Sequence, residues 1–361
     1  MANEWGPHTV ESWGFVQRTL QDLNTTLRNG AIDESEQLEA ARFLARVMTL
    51  STEMTLDADP DNPWFLDMCT AGRMVGGPNP DGNYYLAMVG GGRTYRLTGH
   101  RGTSVYLGIQ ILAGIGMEPR RMAAFVSDTD LVLDKAGAFD LVLSSVRPAD
   151  DVLAGAQWVQ TPPDVSSFVV REYIADATEE VPATLEIEVL DPGPPTRITD
   201  EELAERFTSM AWAMIKLSTL HLTIKPELLE QPNVFVTASA QVVGVADANP
   251  DNLYMIGTFV LAPDETLTLE FAPPAVRYWN VTLENIFHEL LEPRRRHSSV
   301  SNKGVRPDAD GLVRIAIGAS DQGLGHWLDT GGRRRGFVIV RWLDNPEAPA
   351  VKVAVRSEGD R

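Results

Sequence analysis

His326 and Asp329 stand three residues apart in Leu324-Gly325-His326-Trp327-Leu328-Asp329-Thr330-Gly331-Gly332. An imidazole titrates near neutral pH, and a carboxylate beside it would orient the ring for proton transfer in a hydrolysis or an elimination. The same stretch also reads as a turn-rich loop in which Asp329 caps Thr330-Gly331-Gly332. Upstream, Arg277-Tyr278-Trp279-Asn280-Val281-Thr282-Leu283 reads as a strand. Alternation puts Arg277, Trp279, Val281 and Leu283 on one face and Tyr278, Asn280 and Thr282 on the other. An arginine on an apolar face is either edge-exposed or paired with a carboxylate. Asp329 is the expected partner of Arg277, because a guanidinium fork fits a carboxylate. Arg277, Asn280, Trp279, Arg341, Asn285 and Arg294 complete a candidate ligand-binding set. Arg277 and Arg341 would hold an anionic or polyhydroxy group, while the amides and the tryptophan fix and stack the rest.

Other chemistries have less to stand on. Gly-x-Ser-x-Gly is absent, so Ser298, Ser299 and Ser301 near His297 and His288 are weak nucleophile candidates. His288-Glu289, His326 and Asp329 could ligate a metal, but neighbouring residues on a strand point to opposite faces, and no His-x-His pair occurs. His221 stands alone on an apolar helix. Neither a metal nor a cofactor is expected. Gly90-Gly91-Gly92 and the glycines from Gly72 to Gly77 read as turns rather than a phosphate loop, since no helix with Lys-Ser/Thr follows.

The elements that must position these residues repeat. Asn79-Pro80-Asp81 returns as Asn249-Pro250-Asp251, Tyr106 as Tyr278, Asp134 with Gly137 as Asp308 with Gly311, and Trp158 as Trp327. The offset stays near about 170 residues, which predicts two similar lobes. Residues shared by the lobes serve packing or turns, and Asp81 and Asp251 read as turn caps. Residues that differ mark where a site was built: Val105 against Arg277, Leu107 against Trp279, Gly108 against Asn280, Gln160 against Asp329, and Glu172 against Arg341. Short strands punctuated by Gly, Pro and Asp run from Tyr84 to Val189 and from Val234 onward, the texture of a sandwich or jelly roll. Residues 8–56 read as helical. A second helical stretch follows the cap Thr199-Asp200-Glu201-Glu202, and the helix at 35–50 is its expected partner. The predicted organisation is a helical region at 1–78, a first β-sandwich lobe at 79–190, a helical linker at 191–233 and a second lobe at 234–361.

The chain has 361 residues, 43% of them hydrophobic and 22% charged, enough for two packed cores. A net charge of −19 argues against nucleic acid and anionic membranes as partners. Arg294-Arg295-Arg296-His297 and Arg333-Arg334-Arg335 run against that charge. The lone Cys69 excludes an internal disulfide. With no apolar run long enough to span a bilayer and no secretory signal, the expectation is a cytoplasmic protein with no membrane span, capable of forming a homo-oligomer.

From Pro274-Ala275-Val276-Arg277-Tyr278-Trp279-Asn280-Val281 through Ser301-Asn302, Asp310-Gly311, His326-Trp327-Leu328-Asp329-Thr330-Gly331-Gly332 and Arg341-Trp342, the chain resembles the domain-of-unknown-function family 1214. That family is often joined to family 1254, which the first half resembles loosely. The resemblance covers roughly residues 250–345. It implies a jelly-roll or sandwich fold of bacterial origin and carries no reaction with it. His326 departs from the asparagine often found before Trp-Leu-Asp-Thr, and the Arg294–Arg296 run is unusually charged. The expected function is therefore small-molecule binding or processing in the second lobe or between lobes. The rival expectation is a structural or interaction protein whose polar cluster serves packing.

Overall fold

The computed structural model describes residues 5–114, 118–194, 197–220, 228, 231–239, 248–345 and 347–357; His221 lies outside them. Two compact units divide the chain. One comprises Met1–Thr70, Asn83–Glu172 and Val181–Thr219; the other comprises Ala71–Gly82, Tyr173–Glu180 and Leu220–Arg361. This division differs from the partition expected from sequence. The linker helix goes with the first unit, and the first Asn-Pro-Asp turn goes with the second.

Three long helices of the first unit pack on one another: α1 (Pro7–Gly30), α2 (Glu34–Thr55) and, after the short α3 (Asp150–Leu153), α4 (Asp200–Ser218). The helix starts are encoded locally. Asp33 accepts from the Glu36 amide at the head of α2, and Thr199 with Glu202 forms a reciprocal capping box on α4. Val16, Phe43, Val47, Leu50 and Met214 are fully buried among the helices.

The first lobe has two sheets. One takes the order β1 (Leu66–Asp67), β2 (Gly82–Met88), β8 (Val165–Tyr173), β4 (Tyr106–Ala113) and β5 (Arg121–Ser127). The other takes β7 (Gln157–Gln160), β6 (Ala138–Ser144), β3 (Tyr95–His100) and β9 (Thr184–Val189). The second lobe repeats both. Its five-stranded sheet runs β10 (Phe235–Ser239), β11 (Asn252–Val260), β17 (Arg335–Leu343), β13 (Trp279–Glu284) and β14 (Ser299–Ser301). Its four-stranded sheet runs β16 (His326–Asp329), β15 (Val313–Gly318), β12 (Glu265–Phe271) and β18 (Lys352–Ser357). In each lobe the pair that includes the tryptophan strand is parallel, β6 with β7 and β15 with β16. The fold is mainly β, in two mutually similar sandwich lobes.

Local geometry repeats with the topology. Trp158 donates its indole N–H to Ser144 Oγ at 3.0 Å, and Trp327 donates to the Gly318 carbonyl at 3.1 Å. Both tryptophans are half-buried anchors rather than full core residues. Gly137 N–H closes a turn onto the Asp134 carbonyl at 3.1 Å, and Gly311 closes the same turn onto Asp308 at 2.9 Å. The Arg171 guanidinium lies 5.9 Å from the Tyr84 ring centre, and that of Arg341 lies 6.0 Å from Tyr254. These pairs correct one expectation: Arg171, not Glu172, is the counterpart of Arg341. The slip arose because the intervening loops differ in length, which the expected alignment did not absorb.

The second-lobe core lies between its two sheets and contains Trp279, Val281, Leu283, Leu328, Val338, Val340 and Trp342. Trp279 meets Phe271 edge to face at 5.4 Å. Face assignment in β13 follows the expected alternation, with the polar residues turned outward from the sandwich. Trp279→Ala should lower the unfolding free energy by about 3–5 kcal/mol in chemical denaturation; a loss below about 1 kcal/mol would show that the ring is not a core element.

Candidate functional site

The outer face of the five-stranded sheet in the second lobe carries polar side chains that the fold buries. Strand pairing sets them in rows. Tyr254, Arg341, Asn280 and Ser301 lie side by side across β11, β17, β13 and β14. Ile256, Ile339, Thr282 and Ser299 form the next row, and Thr258, Phe337 and Glu284 the one after. Asn280, Thr282 and Glu284 are each 0% exposed, and Arg341 is 4% exposed. Polar groups withdrawn from water this completely need partners, and the cost of lacking one is a few kcal/mol at most sites.

Arg341 is answered three ways. Its Nη1 donates to Thr282 Oγ1 at 2.9 Å, its Nη2 donates to the Gly77 carbonyl at 2.6 Å, and Glu284 Oε1 lies 3.7 Å from Nη2. Gly77 reaches this position because the 75–77 segment is bonded to the turn after β13. The amides of Gly76 and Gly77 both donate to the His288 carbonyl, and Val75 bridges to Glu289. Gly77 has φ +66°, and a Cβ there would sit 3.2 Å from the Glu284 carboxylate oxygens. A glycine suits both constraints.

The turn after β13 presents His288. Asn285 caps it by accepting from the amides of Phe287 and Glu289, each at 3.0 Å. His288 has φ +56°, left-handed backbone that only tight turns impose on such a residue. That geometry folds its ring back onto the strand, where Nδ1 lies 2.6 Å from Glu284 Oε2 and the ring stacks on Phe337 at 4.2 Å. His288 Nε2, Glu284 Oε1 and Asn280 Oδ1 are buried and have no hydrogen-bond partner.

At the other end of the row, Asn79 Oδ1 accepts from the Asp81 amide at 3.0 Å, from Asn280 Nδ2 at 2.6 Å, and faces Tyr278 Oη at 3.0 Å. The asparagine, not the aspartate, is thus the turn cap of Asn-Pro-Asp, and Asn249 does the same for the Asp251 amide at 3.1 Å. Asp81 is freed to accept from the Tyr278 hydroxyl at 2.7 Å. Burial pushes the Asp81 carboxyl above its ordinary range, and Glu180 adds to this, while Tyr278 and Arg341 pull it back. Burial and the Asp81 charge raise Tyr278 well above its ordinary value, so it stays a protonated donor. Tyr173 lies against Tyr278 with the rings tilted and their centres 5.5 Å apart, and Asn249 and Asn252 donate to the Tyr173 hydroxyl.

Of the residues singled out from sequence, the structure brings Asn280 and Arg341 together and sets Asn285 beside them as the cap of the His288 turn. The others lie elsewhere. Trp279 is core. Arg277 does not pair with Asp329; it forms a fork with Asp344 on an exposed edge, at 2.5 and 3.2 Å. Asp329 is held instead by Arg296 at 2.9 Å and caps the Gly331 amide at 2.6 Å, as the turn reading had it. His326 and Asp329 are three apart on β16, hence on opposite faces, and share no hydrogen bond. The expected His326–Asp329 acid–base pair is therefore not assembled. Arg294 is exposed on a turn. His288 was passed over because His288-Glu289 was read as strand. Glu284, four residues before it, was missed altogether. Among the described residues, no group of three or more His, Cys, Asp or Glu side chains is placed to hold a metal.

The comparisons bear on the same segment. Residues 259–347 match the model of a family described as a protein of unknown function, DUF1214. That is the family the sequence resembles. The DUF1214 segment contains Asn280, Glu284, His288 and Arg341 but neither Gly77, Asn79 nor Asp81. A crystal structure of an uncharacterized protein from Burkholderia cenocepacia is similar over 96% of both chains, at 28% identity and a TM-score of 0.88. The VPA0106 protein from Vibrio parahaemolyticus shares the fold at 11% identity and a TM-score of 0.51, covering 87% of this chain and 97% of its own. No curated protein matches the sequence. No helix among the described residues is long and apolar enough to cross a membrane.

The raised Asp81 carboxyl gives a signed prediction. A folded-state value above the unfolded one means the native state holds the proton more tightly. Stability then falls as pH rises from the unfolded value through the folded one, and stays lower above it. Asp81→Asn, which keeps an acceptor for Tyr278, should flatten this slope and leave the melting temperature at neutral pH equal or higher. A clear drop in the melting temperature at pH 7 would show that the ionised carboxylate is stabilising instead.

Proposed function

We propose that the second lobe binds a small polar molecule, anionic or polyhydroxy, at the Asn280–Glu284–His288–Arg341 cluster, and that Glu284 and His288 move a proton on it. One observation carries the reading: His288 has one ring nitrogen bound to a buried carboxylate and the other buried and unbonded. Glu284 orients the ring and favours the tautomer with hydrogen on Nδ1, which leaves the Nε2 lone pair as the base. A ligand hydroxyl within reach of Nε2 would give up its proton there, and the imidazolium formed would be stabilised by Glu284. The hydrolysis or elimination first assigned to His326 with Asp329 fits this pair better.

The first lobe supports the contrast with a packing role. Its buried Glu172 has one oxygen on Asn83 Nδ2 at 3.0 Å and the other on the Ala183 amide at 2.6 Å. A structural carboxylate is finished by the protein in this way. Glu284 is not. Aligning Tyr106 with Tyr278 sets Gly108 against Asn280 and Leu112 against Glu284, while the buried Gln110 stands against Thr282, so the amide and carboxylate of β13 have no polar counterpart in the first lobe. We further propose that the protein works in the bacterial cytoplasm, a reading that leans on its single cysteine and the Burkholderia relative.

The test is mass spectrometry of small molecules released when the purified chain is denatured, compared with His288→Asn. Asparagine tolerates the left-handed backbone, so this variant should still fold, with a lowered melting temperature because Glu284 loses a buried partner. A polar molecule released in stoichiometric amount from the parent and missing from the variant is the expected result. Equal release from both would return His288 to a packing role.

A further inference from the structure

We infer that the ligand of this cluster is a neutral, hydroxyl-rich molecule rather than an anion; the inference rests on the proposed site and narrows it. On β13 and the turn that follows it, the buried atoms without a hydrogen bond are acceptors. Asn79 must present its oxygen to the Asp81 amide, so the atom of Asn280 facing it is the NH2 group, and Asn280 Oδ1 is fixed as the unbonded end. Glu284 Oε1, 3.7 Å from Arg341 Nη2 and without a hydrogen bond, is a second acceptor. With hydrogen on Nδ1 toward Glu284, His288 Nε2 is a third.

The one cation of the row is already committed. Arg341 gives Nη1 to Thr282 and Nη2 to Gly77, and its charge is balanced by Glu284 at 3.7 Å. An entering anion would meet three lone pairs and a guanidinium bound elsewhere, and it would have to shed its hydration for that. An entering ammonium would add a charge that Glu284, shared between His288 and Arg341, is not free to neutralise. Hydroxyl groups satisfy every requirement. They donate to Asn280 Oδ1, Glu284 Oε1 and His288 Nε2 without altering the net charge of the buried cluster.

Three probes of one carbon skeleton separate the classes: D-glucitol, D-gluconate and D-glucamine, titrated calorimetrically into the full chain at pH 7 and constant ionic strength. D-glucitol should bind at least tenfold more tightly than either charged analogue. Asn280→Leu should weaken it at least tenfold, with circular dichroism confirming that the variant remains folded. Tighter binding of D-gluconate or D-glucamine, abolished by Asn280→Leu, would overturn the neutral-ligand inference while leaving the site in place. Binding of D-glucitol that Asn280→Leu leaves unchanged, or no binding by any of the three, would overturn it together with the site.

Discussion

A guanidinium buried on the outer face of a β-sheet constrains everything around it. Arg341 is 4% exposed, so its charge cannot be left to solvent. The sheet supplies Thr282 from the neighbouring strand and Glu284 one step further on. The third partner is the Gly77 carbonyl, from a segment 264 residues away in sequence. That segment is held by the His288 carbonyl, and His288 is held by Glu284. The charge, the loop and the imidazole are therefore one connected device. Breaking one member of such a network leaves the others buried and unmatched, which costs more than the lost bond alone.

The first lobe shows the same scaffold without that arrangement. It keeps the arginine stacked on a tyrosine, Arg171 over Tyr84, as the second lobe keeps Arg341 over Tyr254. It keeps the tryptophan strand and the Asp–Gly turns. What differs is the strand beside the arginine, where Gly108 and Leu112 stand in place of Asn280 and Glu284. The two lobes thus share a frame and an apolar inward face, and differ in a few residues on one outward face.

Much of this was legible in the sequence. The repeated Asn-Pro-Asp, Asp-x-x-Gly and tryptophan segments gave two like lobes, and period-two alternation in β13 separated Trp279 from Asn280 correctly. Strand positions followed from β-branched runs bounded by Gly, Pro and Asp. Short strands such as β10 and β14 and the pairing partners did not follow. Partner choice depends on contacts distant in sequence: Arg277 found Asp344, and Asp329 found Arg296. His288 was hidden for a different reason. Its left-handed backbone reverses the chain within one turn, so the strand rule that set it opposite Glu289 never applied. A glutamate ending a strand, followed by an asparagine cap and a histidine four residues on, was the local signal that went unread.

The central claim is that the second lobe buries polar atoms for a ligand to complete. A crystal structure at a resolution that orders bound water, determined with D-glucitol present, tests it most directly. The account predicts continuous density for a small molecule whose hydroxyls lie within hydrogen-bond distance of Asn280 Oδ1, Glu284 Oε1 and His288 Nε2. Protein groups or isolated waters satisfying all three atoms would contradict it.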